Sequence, residues 1–164
     1  MTRLIRDNHI VIDDWVLVSL EQGDSEPPPG KLIVPLATWL DRQTELIARN
    51  EPLAVWLASD QHPEAIADSL PHLSMVAINF PVFSDGRGYS SARILREQYG
   101  FSGELRAIGD VLRDQLFLMR RCGFDSFQIR ADRDPEQALA SLGDFRHVYQ
   151  FCTMNPGNPL LQRT

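Results

Sequence analysis

The sequence predicts an α/β protein with a mainly parallel sheet of βα units, open and doubly wound or partial-barrel-like, with an N-terminal β-hairpin. Its 164 residues match one domain and are enough to bury a core. With 43% hydrophobic and 23% charged residues, the composition is that of a folded globular chain. Predicted strands begin near residues 53, 75, 104 and 126, and each precedes a predicted helix. This rhythm indicates parallel strands with right-handed crossovers, in a chain too short for a complete barrel of eight units.

The first 30 residues predict a hairpin followed by an exposed loop. Strand-forming residues occupy 9–12 and 15–20, and Asp13-Asp14 between them is typical of a turn. The stretch 21–30 is polar and rich in proline, which indicates a loop rather than a domain linker, because few residues precede it. We therefore expect a single domain in three parts, with the hairpin and loop over 1–30, the βα units over 31–150 and a tail over 151–164.

From residue 31 onward, apolar runs of strand length alternate with helical segments. Gly100, Gly123 and Gly143 mark helix ends, and Asp110 is a favourable N-cap. The predicted strands are 31–34, 53–58, 75–80, 104–108 and 124–130. The predicted helices are 36–49, 63–70, 90–99, 110–121 and a last one from 134 to 143.

Charge and cysteine content narrow the function classes. The net charge of −6 argues against nonspecific nucleic-acid binding, and no apolar run approaches the roughly 20 residues that span a bilayer. Charged residues interrupt the N-terminal sequence before it could form the apolar segment of a signal peptide, so we expect a cytoplasmic protein. Cys122 and Cys152 lie far apart and outside any metal-ligand spacing, so we expect neither a disulfide nor a zinc site. Each is expected to be a small buried apolar residue.

Arginine is concentrated in residues 85–133, which hold nine of the 16 basic side chains. Polar loops in this region follow three predicted strands, at 85–90, 109–110 and 130–133. Because the carboxyl ends of parallel strands share one edge of a sheet, we expect these loops to form a common binding rim. The candidate anion- or partner-binding residues are Asp85, Gly86, Arg87, Gly88, Tyr89, Arg93, Arg106, Asp110, Arg113, Asp114 and Arg130.

The loop DGRGYS is the most concentrated signal in this set. Its two glycines allow the backbone to approach a ligand closely, and a helix start at Ser90 or Ser91 would offer unpaired N–H groups to an anion. Taken singly, the charges also fit a structural interpretation. Asp110 caps a helix whether or not anything binds, and Arg93 can pair with Glu97 at helical spacing.

No motif assigns a catalytic residue, a cofactor or a metal. GRG is not the GxGxxG fingerprint, and the sequence has neither a Walker A lysine nor a Gly-x-Ser-x-Gly elbow. The histidines at 9, 62, 72 and 147 are scattered, so each is expected to be a surface or packing residue. Redox chemistry would therefore require a borrowed cofactor.

Three segments carry a family resemblance. FPVFSDGRGYSSAR (80–93) resembles the signature of a bacterial domain-of-unknown-function family, and GELRAIGDVLRDQ (103–115) and RCGFD (121–125) fit the same family. The likeness runs from Asp14 to Tyr149. Members are usually labelled as probable oxidoreductases involved in sulfite reduction, because their genes lie beside those for the sulfite reductase haemoprotein and the sulfate-assimilation reductase. The resemblance implies a place in assimilatory sulfur metabolism and supplies no catalytic residues.

Combined with the arginine-rich rim, the resemblance implies an accessory protein of sulfite reduction that acts with the haemoprotein, through docking, electron delivery or oxyanion handling. Arg87, Arg106, Arg113 and Arg130 would suit sulfite or sulfate, which prefer charge-assisted donors. A second interpretation is a small oxidoreductase, or an enzyme that binds phosphate or a flavin nucleotide at the same rim. A third is a self-associating structural subunit, a homo-oligomer whose arginines form salt bridges at the interface.

Overall fold

Eight strands form one sheet in the computed structural model, which describes residues 2–18, 26–82 and 84–142. The strands are β1 (Arg3–Arg6), β2 (His9–Ile12), β3 (Val16–Leu17), β4 (Leu32–Pro35), β5 (Leu53–Leu57), β6 (Met75–Phe80), β7 (Glu104–Gly109) and β8 (Ser126–Phe127). The α-helices are α1 (Leu36–Ala48), α2 (Arg87–Arg93), α3 (Leu116–Cys122) and α4 (Pro135–Leu142). A 3₁₀ helix spans Pro63–His72, a π turn Ile94–Gln98 and a short 3₁₀ turn Arg113–Gln115.

The strand order β2-β1-β8-β7-β6-β5-β4-β3 distinguishes between the two predicted architectures. From β3 to β8 every strand pairs in parallel with the next one along the chain, and the order never reverses. Right-handed crossovers then place all connecting helices on one face of the sheet, as in a partial barrel, whereas a doubly wound sheet needs a reversal. β1 and β2 extend the sheet as antiparallel strands beyond β8.

The connection between the two outermost strands requires the sheet to curl. Ile12 ends β2 at one edge and Val16 begins β3 at the other, so only three residues separate them. Four residue steps reach about 14 Å at most, whereas the outer strands of a flat eight-stranded sheet lie about 34 Å apart. The sheet is therefore a half-barrel with an outer, helix-covered face and an inner face.

Strand side chains alternate between these two faces. The outer face buries strand residues such as Val55, Val76 and Leu105 against helix residues that include Trp39 and Leu95. The inner face holds a smaller apolar cluster, consisting of Ile33, Ala54, Met75 and Ala77, with Trp15, Trp56 and Ile108 packed against it. The main core thus lies between the sheet and its helices.

The N-terminal hairpin exists, but the predicted position was wrong. β1 and β2 pair around Asp7-Asn8, where both residues have positive φ (51° and 62°). Positive φ at both central residues is the geometry of the two-residue turn that matches strand twist, and Asp and Asn tolerate it. Residues 13–15 are not a hairpin turn but the connection between the sheet edges, and β3 pairs in parallel with β4.

Two predicted helix starts were also wrong. α2 begins at Arg87, before Ser90, because Asp85 accepts a hydrogen bond from the Arg87 N–H and holds the first turn. The predicted helix 110–121 begins only with the 3₁₀ turn at Arg113, and the Asp110 carboxylate accepts a hydrogen bond from Arg130.

Other predicted boundaries agree more closely with the structure. Gly100 and Gly123 have positive φ at helix ends, as predicted. β8 is shorter than the predicted strand 124–130, with two residues paired to its neighbours. Gly143 and the predicted tail 151–164 lie outside the described residues. None of the helices in the described ranges is both long and apolar enough to cross a bilayer.

Candidate functional site

The carboxyl ends of four neighbouring parallel strands bring polar side chains to one edge of the half-barrel. We call this group the carboxyl rim; it consists of Ser59, Asp85, Arg87, Asp110, Arg130 and Asp132. Ser59 follows β5, Asp85 and Arg87 follow β6, Asp110 follows β7, and the last two follow β8. The structure thus brings four residues of the candidate set, Asp85, Arg87, Asp110 and Arg130, to one edge of the sheet.

The first half of the rim is an arginine held by a carboxylate and a hydroxyl. Arg87 donates from Nη2 to Asp85 Oδ2 at 2.7 Å and from Nε to Asp85 Oδ1 at 3.0 Å. Its Nη2 also lies 2.9 Å from Ser59 Oγ. The Arg87 guanidinium holds the pKa of Asp85 well below its usual range, and Asp85 raises the pKa of Arg87. The guanidinium is thus fixed in orientation while 61% of the side chain stays exposed.

The second half of the rim has the same design on the next two strands. Arg130 donates from Nη1 to Asp110 Oδ1 at 2.8 Å, and from Nε and Nη2 to the two oxygens of Asp132 at 2.5 and 2.8 Å. Hydrogen bonds to these carboxylates raise the pKa of Arg130, with Asp132 as the larger cause. The same contact lowers the pKa of Asp132. Both rim arginines are therefore permanently charged and locally neutralised.

The glycines around the rim serve close packing. A Cβ on Gly109, which has a φ of +92°, would lie 2.4 Å from the Phe80 carbonyl oxygen, so only glycine fits between β6 and the Asp110 loop. A Cβ on Gly88 would lie 2.6 Å from the Phe80 ring. Gly86 has open space around its Cα and an ordinary φ of −85°.

Tyr89 contributes to the same packing. Its ring lies 5.3 Å from that of Phe80, and burial raises the pKa of its hydroxyl. The second half of the DGRGYS loop therefore anchors α2 on β6.

Three other candidates lie apart from the rim. Arg93 is exposed on α2, with its Nε 3.8 Å from Glu97, which is the predicted helical pair. Arg113 and Asp114 are exposed in the 3₁₀ turn, and their charged groups lie 3.6 Å apart. These two residues line a groove of about 290 Å³, whose other walls are Leu112, Ile129, Arg133, Asp134, Gln137 and Ala138.

Arg106 has a different environment from every other candidate. It lies on the inner face of β7, with a fully buried side chain. It donates to Asp13 at 3.0 Å and to Glu104 at 3.1 Å, and Ser126 Oγ donates to Glu104 at 2.5 Å. Because Asp13 belongs to the connection between the sheet edges, this network fastens that connection to the inside of the half-barrel.

Sequence reasoning missed some partners of the rim. Ser59 follows directly on the predicted strand 53–58, so the rule that selected the other loops also applies to it. Asp132 stood in a predicted rim loop but was not selected, although its spacing from Arg130 allows the ion pair seen here. No sequence pattern predicted the role of Asp13, because its contact with Arg106 depends on the curl of the sheet.

The chemistry of the rim follows from these ion pairs. A free oxyanion must compete with carboxylates already bound at 2.5–2.8 Å, so the rim is poorly suited to concentrating small anions. The exposed guanidinium surfaces, by contrast, suit contact with a macromolecular partner. Among the described residues, no group of three or more His, Cys, Asp and Glu side chains could hold a metal ion. Cys122 is buried, as predicted.

Comparison with known proteins identifies one family. A family model described as a bacterial protein of unknown function (DUF934) matches residues 54–160, which include the rim. The match begins further along the chain than the resemblance noted from the sequence. No curated protein matches the chain significantly.

Proposed function

Given that the chain belongs to the DUF934 family of bacterial proteins, we propose that it is an accessory protein of assimilatory sulfite reduction that docks on the sulfite reductase haemoprotein. The sulfite assignment is supported by the resemblance carried by 80–93, 103–115 and 121–125. The docking role is supported by the geometry of the carboxyl rim. The proposal includes the cytoplasmic location expected from the sequence.

The observation that carries the docking role is the prearrangement of two arginines whose side chains are 61% and 37% exposed. Arg87 and Arg130 lie at the ends of β6 and β8 and each is held by carboxylates, so little side-chain entropy is lost when a partner contacts them. Arginine is also among the residues that dominate protein interfaces. Of the three roles open from the sequence, docking, electron delivery and oxyanion handling, this geometry favours docking.

A binding assay with the purified haemoprotein tests the proposal. Replacing both rim arginines, Arg87→Ala with Arg130→Ala, is expected to weaken binding at least about tenfold, in line with interface arginines that contribute more than about 1.4 kcal/mol. Arg93→Ala is the matched control, because Arg93 is an exposed arginine with a carboxylate partner away from the rim. Equal affinity of the double variant and the control would contradict docking through the rim.

A deletion strain tests the pathway separately. Loss of the gene should impair growth on sulfate or sulfite and spare growth on cysteine. Normal growth on sulfate without a substitute gene would contradict the sulfite assignment. A growth defect without measurable contact between the two proteins would contradict only the docking role.

A second candidate function is supported by the groove beside Arg113. Arg113, Arg133 and Gln137 surround the apolar side chains of Leu112 and Ile129, which would suit a phosphate-bearing ligand such as a flavin nucleotide, although Asp114 and Asp134 share the lining and Asp114 pairs with Arg113. An absorbance spectrum of gently purified protein, and thermal shifts with flavin mononucleotide, test it. Stabilisation that Arg113→Ala abolishes would favour this small-enzyme alternative over docking.

A further inference from the structure

β2 presents an open edge that ends in an exposed isoleucine. One side of β2 pairs with β1, and its other side pairs with no strand in the described ranges. Ile12 is 63% exposed, although it belongs to a β-branched run, Ile10-Val11-Ile12, that favours sheet pairing. An exposed apolar edge strand is a template for pairing with another strand.

The register of the hairpin fixes which backbone groups face outward. Asp7-Asn8 is a two-residue turn, so Arg6 and His9 form a hydrogen-bonded pair, and such pairs then alternate along the strands. The hydrogen bond from Asp13 N to Thr2 O, at 2.8 Å, agrees with this alternation. The N–H and C=O groups of Ile10 and Ile12 therefore point away from β1, toward the open edge.

The two free edges differ in how they are protected. Natural edge strands are shielded by shortness, proline, bulges or charged side chains. β3, at the other edge, is only two residues long. β2 is a regular four-residue strand, and its last three residues carry none of these devices. The unprotected edge is therefore β2, and it contributes no residue to the carboxyl rim.

We propose that two copies of the chain pair through β2, antiparallel and around a twofold axis at Val11. This register aligns Ile10 of one copy with Ile12 of the other, which joins the outward backbone groups in hydrogen-bonded pairs. Val11 then meets its own counterpart on the axis in a non-hydrogen-bonded pair.

Side-chain chemistry supports a second copy as the occupant of this edge. Ile10 and Ile12 lie on the same face of the strand, so the dimer gathers four isoleucines and covers the exposed Ile12. The next pair outward is His9 opposite Asp13, whose carboxylate is held by Arg106 on the inner face, so no like charges oppose each other within this register. A strand that is complementary to itself in both backbone and side chains pairs isologously without a second type of chain.

Mass measurement by light scattering across a concentration series is the first test. The wild-type chain is expected to approach twice its mass of 18.6 kDa as concentration rises. Ile12→Pro removes an outward N–H without removing a bond to β1, so it should abolish the dimer and leave circular dichroism unchanged. Ile12→Lys should do the same by placing charge against Ile10 of the second copy. Leu118→Lys, at an exposed apolar residue of α3, is the control.

A cysteine scan tests the register. In the proposed pairing the two Val11 Cα atoms lie about 4.5 Å apart, within disulfide range, so Val11→Cys should give a covalent dimer on mild oxidation. Ile12→Cys should not, because Ile12 faces Ile10 rather than itself. The parent chain, oxidised identically, controls for Cys122 and Cys152. A monomer at every concentration, a dimer that survives both Ile12 variants, or cross-linking at Ile12 in place of Val11 would overturn the proposal.

Discussion

Replacing the buried Arg106 by methionine should cost the protein much of its stability. The guanidinium is fully buried and bridges Asp13 and Glu104, whose side chains are only 9% and 20% exposed. Arg106→Met keeps a long apolar stem but leaves both carboxylates without their main partner in a poorly solvated interior. Removing one member of a buried ion pair generally costs about 3–5 kcal/mol, because the remaining charge stays desolvated.

The remaining contacts place the expected cost near the lower end of that range. Glu104 keeps hydrogen bonds from Ser126 at 2.5 Å and from Arg6 at 3.3 Å, and Asp13 keeps a weak one from the Trp15 N–H at 3.3 Å. We therefore expect a loss of about 3 kcal/mol, or roughly 6–12 °C in Tm for a domain of this size.

Urea unfolding followed by circular dichroism measures this loss. Arg113→Met is the control, because that arginine is exposed and its ion pair should contribute less than about 1 kcal/mol. Adding Glu104→Gln to Arg106→Met removes one stranded carboxylate and should recover part of the stability. A loss below about 1 kcal/mol for the single variant would refute the reasoning, because it would mean that water solvates the inner face.

Three further predictions concern the backbone and charges near the rim. Gly109→Ala should destabilise the fold by about 1–3 kcal/mol, because its φ is +92° and a Cβ would meet a backbone oxygen; urea unfolding measures it. Gly88→Ala should cost a similar amount through contact with the Phe80 ring, and Gly86→Ala, in open space, should be near neutral in the same assay. The Asp85 carboxyl should titrate below 3.8 by NMR, and Arg87→Ala should raise its midpoint. Since the folded-state pKa is lowered, this ion pair contributes stability above the ordinary pKa and loses it as pH falls; a midpoint unmoved by the substitution would contradict the assignment.

Local patterns predicted most of the sheet because parallel strands are buried on both faces and appear as apolar runs. The predicted strands 53–58, 75–80 and 104–108 lie close to the observed bounds of β5, β6 and β7, whereas 124–130 is longer than β8, and the rhythm between the four predicted parallel pairing. The first hairpin was misplaced because both 13–14 and 7–8 carry turn-forming residues. The turn forms at 7–8 because Leu4 and Ile5 are buried where β1 pairs with β8. This contact joins residues far apart in the sequence, so local patterns do not predict it.

The sequence predicted site residues correctly only where they follow the carboxyl ends of strands. Asp85, Arg87, Asp110 and Arg130 converge because each follows the carboxyl end of a parallel strand. Arg106 was grouped with them because it is charged and close in sequence, but a residue inside a strand points to one face or the other. The inner position of Arg106 is stabilised by Asp13, and Asp13 reaches Arg106 only because the sheet curls. Local sequence patterns do not predict this curl.

Arg106 and Arg130 differ in burial, and this difference predicts that one contributes mainly to the free energy of unfolding and the other mainly to docking. Each is bound by two acidic side chains, yet Arg106 is fully buried while 37% of the Arg130 side chain is exposed. Breaking the Arg130 pairs should cost less than breaking the Arg106 pairs, because water solvates the freed Asp132, which is 60% exposed, and only Asp110, which is 15% exposed, stays largely desolvated. Breaking the Arg106 pairs leaves both of its carboxylates in a poorly solvated interior. Arg130→Ala should therefore weaken docking and lower the unfolding free energy less than Arg106→Met does, and Arg106→Met should lower that free energy without a specific loss of docking in the molecules that remain folded. Measuring binding and urea unfolding on the same two variants tests this separation, and it fails if both substitutions change the two quantities together.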